Sequence, residues 1–203
     1  GSIRSCDVAI IGGGIGGLMA AYRLKQNSPE IKIVITERGN TLEKRHCPAG
    51  REKTCIHCKT CSITSGYAGA GAFSDGKFNL GTAYGGTLGE ELGEAKANQY
   101  IDEVDKILNK YCNSGEVKVY KSNEDLKLKC LQNNLRLLDM NVKHLGTDKN
   151  YVTMQNLIKA IGEMGVEMLS FYNCEKVERS DSGYILKYEN GEQIAASKII
   201  IAT

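Results

Sequence analysis

Asp7 to Ile11 is a short apolar run with no helical period, and it reads as a buried strand. A glycine-rich turn follows, and then Leu18, Met19, Ala20, Ala21, Tyr22 and Leu24 supply a helix that ends near Gln26. Ile31 to Thr36 is rich in β-branched side chains, which suit a pleated surface, and it predicts a second strand. Strand, helix and strand within about thirty residues is the crossover unit of a parallel sheet. From Arg38 to Gly89 the pattern dissolves into glycine, cysteine and charge, the composition of a long functional loop. Helical spacing returns over Glu91–Tyr111, where Ile101, Val104, Ile107, Leu108 and Tyr111 share a face, and over Ser122–Leu138, where Leu128, Leu131, Leu135 and Leu138 recur. Both stripes are expected to pack in a core, and Ser122 is expected to cap the second helix, with Asp125 beyond it. A further helix is predicted over Tyr151–Met164 and a strand over Val166–Phe171. Cys174–Arg179, Tyr184–Tyr188, Glu192–Ala196 and Lys198–Ala202 then read as short strands, with hairpin turns at Asp181-Ser182-Gly183 and Asn190-Gly191. The fold class is therefore α/β, a parallel sheet with helices plus a small antiparallel meander. Ile199-Ile200-Ile201-Ala202-Thr203 closes the chain without a turn or polar tail, which reads as a cut in a larger protein.

Composition narrows the function classes. The 203 residues suffice for one well-cored domain, or for one plus part of another, and 41% hydrophobic content argues against disorder. Lys and Arg total 26 against 24 Asp and Glu, so the broad cationic field of a non-specific nucleic-acid binder is missing. No apolar run reaches the roughly eighteen residues of a membrane span, and Gly1-Ser2-Ile3-Arg4 lacks the layout of a signal peptide. Eight cysteines without an export signal are expected as thiols or metal ligands in a reducing compartment, with the cytoplasm as the address.

Gly12-Gly13-Gly14-Ile15-Gly16-Gly17 matches G-x-G-x-x-G in the setting that gives the motif meaning, directly after a strand and at the start of a helix. Gly12 permits the tight turn, Gly14 lets backbone approach a pyrophosphate, and Gly17 lets the helix pack on the sheet. Phosphates would then meet N–H groups at a helix N-terminus, where the dipole contributes about 0.3–1 kcal/mol per charge. Glu37 ends the second strand twenty residues after Gly17. A carboxylate there is expected to accept both ribose hydroxyls and to repel a 2′-phosphate, disfavouring NADP at this site.

With these residues in view, the chain resembles the two-dinucleotide-binding flavoproteins, the glutathione-reductase-like group, and more narrowly a bacterial and archaeal family of FAD-dependent dehydrogenases. The resemblance is carried by IIGGGIGGLMAAYRL from Ile10, ITERG from Ile35, GYAGAGAFSDGKFNL from Gly66 and KHLGTDKNYV from Lys143. It implies FAD with its adenosine on the glycine turn and acidic strand end, and a final strand into Ala202-Thr203 that completes the cradle. It extends the cofactor contacts to Gly16, Arg38, Arg45, Gly69, Gly71, Ala72, Phe73, Ser74, Asp75, Lys77, Val177 and Thr203, and admits NAD(P)H as electron donor. The small residues of Gly66–Lys77 would lie against the isoalloxazine, with Lys77 as the candidate for tuning its potential or, equally, a solvated lysine. Residues 1–88 become the first part of an FAD-binding domain, 89–145 a helical segment and 146–203 the return to that domain. His144 and Lys149 flank Gly146-Thr147-Asp148 and could line a substrate cavity; the reading placed ahead of it is a strand-to-helix turn where Thr147 or Asp148 is expected to cap the helix at Tyr151.

Cys47, Cys55, Cys58 and Cys61 form C-x7-C-x2-C-x2-C, and consecutive C-x2-C steps can direct three thiolates at one metal. The spacing is similar to a ferredoxin run with its Cys-Pro placed first rather than last, so an iron–sulfur cluster and tetrahedral zinc, with His46 or His57 able to replace a sulfur, both stay open. Thiol–disulfide chemistry with the flavin is a third reading, because Lys44, Arg45, Arg51, Lys53 and Lys59 nearby would favour thiolate. Cys6, Cys112, Cys130 and Cys174 are expected to be inert buried thiols. Two functions follow: an FAD-dependent oxidoreductase transferring hydride or electrons, or a nucleotide-binding redox or metal sensor with structural zinc and no turnover.

Overall fold

The computed structural model describes residues 3–50, 54–113, 115 and 117–203. They divide into two compact units, residues 1–73 with 154–203 and residues 74–153. The division falls at 74 and 153 rather than at 88 and 145, because the segment after Phe73 builds a sheet of its own.

In the first unit, β1 (Arg4–Ile11) leads into α1 (Ile15–Asn27) and β2 (Ile33–Glu37), as the apolar pattern predicts. A parallel strand is covered on both faces, so the sequence shows continuous runs rather than alternation, and all five residues of β2 are buried. In the second unit come β3 (Lys77–Leu80), α2 (Leu88–Leu92), α3 (Glu94–Tyr111), β4 (Val119–Tyr120), α4 (Glu124–Gln132) and β5 (Asn141–His144). Helix α5 (Thr147–Glu163) carries the chain back, and β6 (Glu167–Ser170), β7 (Cys174–Ser180), β8 (Gly183–Tyr188) and β9 (Gln193–Ile201) complete the first unit.

The first unit's sheet runs β6-β2-β1-β9-β8-β7. The β1–β2, β1–β9 and β2–β6 pairs are parallel, and β7–β8 and β8–β9 antiparallel. The meander is therefore an extension of the parallel sheet. Its last two expected strands are one, since β9 pairs with β8 through Ala196 and with β1 from Ile194 to Ile201. Its core contains Cys6, Ala9, Val34, Leu186, Tyr188, Ile194 and Ala196. From β1 the chain goes to β2 on one side, while β9 arrives on the other. The carboxyl ends of β1 and β9 therefore open a crevice at a topological switch point.

In the second unit, the sheet β3-β5-β4 is built from short strands that the glycine-rich and charged sequence concealed. The long helix expected over 91–111 is broken at Gly93, whose φ of +81° the helix cannot continue. The helix expected over 122–138 stops at Gln132, leaving Leu135 and Leu138 outside it, and its N-cap is Asn123, whose side chain accepts from Leu126 N at 2.6 Å. Leu128 and Leu131, 56% and 63% exposed, are not core residues among the described part of the chain. Helix α5 begins at Thr147 rather than Tyr151: Asn150 N already donates to Gly146 O at 3.0 Å. Thr147 and Asp148 thus sit in its first turn, where a carboxylate complements the dipole, instead of capping it.

Candidate functional site

A cleft of about 330 Å³ lies at the switch point, entirely within the first unit. Gly12 and Gly14 form one side, Glu37 and Arg38 a second, Thr64 to Gly66 with Gly69 and Ala70 a third, and Tyr172 to Cys174 with Ala202 and Thr203 the remainder.

The glycine turn is as tight as its motif demands. Gly12 has φ +112°, and a Cβ there would stand 2.3 Å from Ala202 O, in the crossing between β1 and β9. A Cβ on Gly17 would stand 2.0 Å from Gly12 O, so α1 can lie on the turn only without one. Gly14, which lines the cleft, caps α1 with no side-chain cap bond, so no side chain there takes the opening amides of the helix. Gly69 closes against it, since a Cβ on Gly69 would stand 3.3 Å from Gly14 Cα. A Cβ on Gly16 would meet nothing within 4 Å.

Glu37, 7% exposed, is more committed than its strand-end position suggests. Its Oε2 accepts from Gly13 N at 2.8 Å, and its Oε1 from Gly39 N at 2.8 Å and Gly66 N at 2.9 Å. A carboxylate offers about four acceptor positions, so about one remains, on Oε2. The expectation of two ribose hydroxyls on this group is thereby narrowed to one. Tyr67 backs the turn from below: its hydroxyl reaches Ile35 O and Leu169 O, both at 3.1 Å, and burial, then the Glu37 charge, pushes that phenol far above its ordinary range.

Arg45 does not line the cleft but holds the loop that does. At 4% exposure it donates to Ser62 O, Ile63 O, Tyr67 O and Gly69 O at 2.7–2.9 Å and stacks over Phe73 at 4.8 Å. Gly71, Ala72 and Val177 are also absent from the lining; Val177 pairs with Leu186 within β7, and the backbone that reaches the cleft is that of residues 172–174. Cys174, expected as an inert core thiol, is half-buried and lines the cleft, with burial raising its pKa. Cys130 is likewise half-buried, whereas Cys6 and Cys112 are buried, burial pushing the Cys6 thiol up to about 11.

Ser74, Asp75 and Lys77 belong to the second unit, where they meet the fourth resemblance segment. Leu145 N donates to Gly76 O and Gly146 N to Asp75 O, and Lys77 pairs across the strands with His144. Lys77 Nζ lies 2.8 Å from Asp75 Oδ2 and His144 Nε2 lies 3.9 Å from it, and Lys77 first, then His144, holds the Asp75 carboxyl below its usual range. The Lys77 charge is thus balanced locally.

The cysteine run is spread over a loop. Cys55, Cys58 and Cys61 are exposed and Cys47 half-buried, and among the described residues no three His, Cys, Asp or Glu side chains converge on a common centre. The four thiols do not form a cage in this structure. Cys55 Sγ accepts from His57 N at 3.4 Å. The amides of Thr64 and Ile63, the Thr64 hydroxyl and the Arg45 charge hold the Cys61 thiol below its ordinary range. Backbone donors thus do more there than the lysines: Lys59 is paired with Glu189, and Arg51 and Lys53 lie outside the described residues.

Residues 6–203 match the family model described as pyridine nucleotide-disulphide oxidoreductase. The chain belongs to this family. No curated protein sequence matches it. Among solved structures it is similar to 3-ketosteroid-Δ4-(5α)-dehydrogenase from Rhodococcus jostii RHA1, with TM-score 0.61 and 16% identity over 98% of this chain and 46% of that one. Quinol fumarate reductase of E. coli gives 0.57 and 15% over 100% and 33%, and glycine oxidase from Geobacillus kaustophilus 0.55 and 14% over 98% and 55%. These likenesses show the fold, and the chain spans about half or less of each relative. Among the described residues no helix of this oxidoreductase-family chain is long and apolar enough to cross a membrane.

Proposed function

We propose that this chain is the FAD-binding part of an oxidoreductase and that the cleft at the ends of β1 and β9 holds the ADP half of FAD. The single observation that carries the reading is the glycine turn: Gly12 and Gly14 line a cleft at the uncapped start of α1, and Glu37 keeps an acceptor position beside it. Opening amides of α1 would hold the diphosphate. Glu37 Oε2 would accept one ribose hydroxyl and turn away a 2′-phosphate, and Tyr172 to Cys174 would wall the base. Bound flavin supplies hydride or electron transfer; this chain's residues bind it, orient it and shield it from water. Family membership supports a reduced pyridine nucleotide as electron donor.

For the cysteine run, the C-x2-C-x2-C spacing supports an iron–sulfur or zinc centre formed when the loop gathers its thiols, with the cytoplasm as a compartment that keeps them reduced. The test is the visible spectrum of full-length protein purified anaerobically, with iron, sulfide and zinc analysis. Flavin bands with about one FAD per chain are expected. Colourless protein that takes up no FAD would overturn the assignment.

A further inference from the structure

We propose that Arg45 positions one wall of the nucleotide cleft and ties it to the cysteine run, so that the chemical state of Cys61 and the occupancy of the cleft are linked. This rests on the nucleotide reading of the cleft.

Four carbonyls converge on one buried guanidinium: Ser62 and Ile63 immediately after Cys61, and Tyr67 and Gly69 in the glycine-rich stretch. Between these two pairs lie Thr64, Ser65 and Gly66, and all three line the cleft. The cleft wall is thus a span of chain fixed at both ends to the same side chain. Gly66 shows how close the fit is: at φ +127° it leaves no room for a Cβ, which would stand 2.4 Å from Arg45 Cδ. The far side of the span is held by Gly66 N on Glu37, Tyr67 N on Asn40 O and Ala68 N on Gly13 O. Arg45 itself is presented by the short turn Leu42–Lys44, anchored by the buried Leu42. A planar fork with five donors can bridge carbonyls from two segments in this way, whereas a lysine ammonium, a point charge with three, cannot reproduce the arrangement.

Cys61 enters the same construction at its first residue. Its carbonyl accepts from Thr64 N at 3.2 Å and Ser65 N at 2.8 Å, so the residue that opens the span also holds its first two cleft-lining amides. An alkyl group on the sulfur displaces the chain at Cys61 and with it the carbonyl that holds the amides of Thr64 and Ser65. Coupling between two sites is reciprocal, so FAD in the cleft and a substituent on Cys61 oppose each other.

The experiment measures FAD affinity of full-length protein by flavin fluorescence for wild type, Arg45→Lys and Arg45→Ala, the last with and without millimolar guanidinium chloride. Arg45→Ala is expected to weaken FAD at least tenfold and added guanidinium to restore most of it; Arg45→Lys is expected to weaken it at least threefold. Rescue by the free cation separates positioning from general damage to the fold, and if Arg45→Ala does not fold, Arg45→Lys alone decides. Wild-type affinity in Arg45→Lys, or a folded Arg45→Ala with weak binding and no rescue, overturns the proposal. In the second arm, iodoacetamide-treated wild type, with Cys61 modification confirmed by mass spectrometry, is expected to bind FAD at least fivefold more weakly than untreated protein. Treated and untreated Cys61→Ser should then differ by less than twofold. Equal affinity of treated and untreated wild type overturns the link. A wild type that binds no FAD refutes the nucleotide reading itself, which is a different failure.

Discussion

Glu37 shows how a residue can occupy its expected place and do more than expected there. The spacing from the glycine turn placed it at the strand end, beside the ribose, but it also accepts from the amides of Gly13, Gly39 and Gly66, and no spacing rule connects Gly66 to it. A glutamine would keep one oxygen for Gly39 and Gly66 and turn its NH2 toward Gly13 N–H, donor against donor. Glu37→Gln is therefore expected to lower stability by about 1–3 kcal/mol as well as to weaken FAD, because a buried donor loses its acceptor. Thermal denaturation of the protein without FAD checks this. An unchanged midpoint would mean that the carboxylate does not carry these bonds in solution. Gly12, Gly14 and Gly17 were legible because a tight turn and a close approach need glycine wherever they occur. Arg45 was legible only as a charge near cysteines, since its work depends on carbonyls that the fold brings to it.

At the scale of elements, the parallel strands and α1 could be read from their apolar runs, and the hairpins from Asn190-Gly191 and the turn at Gly183. Strands β3, β4 and β5 could not, because the alternation of a half-exposed strand does not stand out over two to four residues. Helical spacing of leucines gave a helix of the right kind but not its length or its burial: α4 stops at Gln132, and Leu131 is 63% exposed. A leucine stripe records a helix face without recording what covers it. Leu131→Gln is accordingly expected to change the stability of this chain by less than about 0.5 kcal/mol in urea denaturation, as surface substitutions do. A loss above about 2 kcal/mol would place that side chain in a core.

At the scale of the molecule, the sheet order decides where chemistry can happen. With β2 on one side of β1 and β9 on the other, the crevice must open at their carboxyl ends, where Gly12 and Ala202 meet. One wall of that crevice, Gly12 with Glu37, was readable from thirty-odd residues of sequence, roughly the span of a crossover unit. Of the opposite walls, the part from Gly66 to Ala70 was reached only through the family resemblance, and Thr64, Ser65 and Tyr172–Cys174 were not reached, since they join the site only through long-range packing. The chain belongs to a family of oxidoreductases whose description names a pyridine nucleotide, and it is the cleft that makes a nucleotide the ligand to test. The most direct test is a crystal structure of the protein soaked with ADP. The diphosphate is expected over the amides that open α1 beyond Gly14 and one ribose hydroxyl on Glu37 Oε2; ADP bound elsewhere, with this cleft vacant, would contradict the nucleotide assignment.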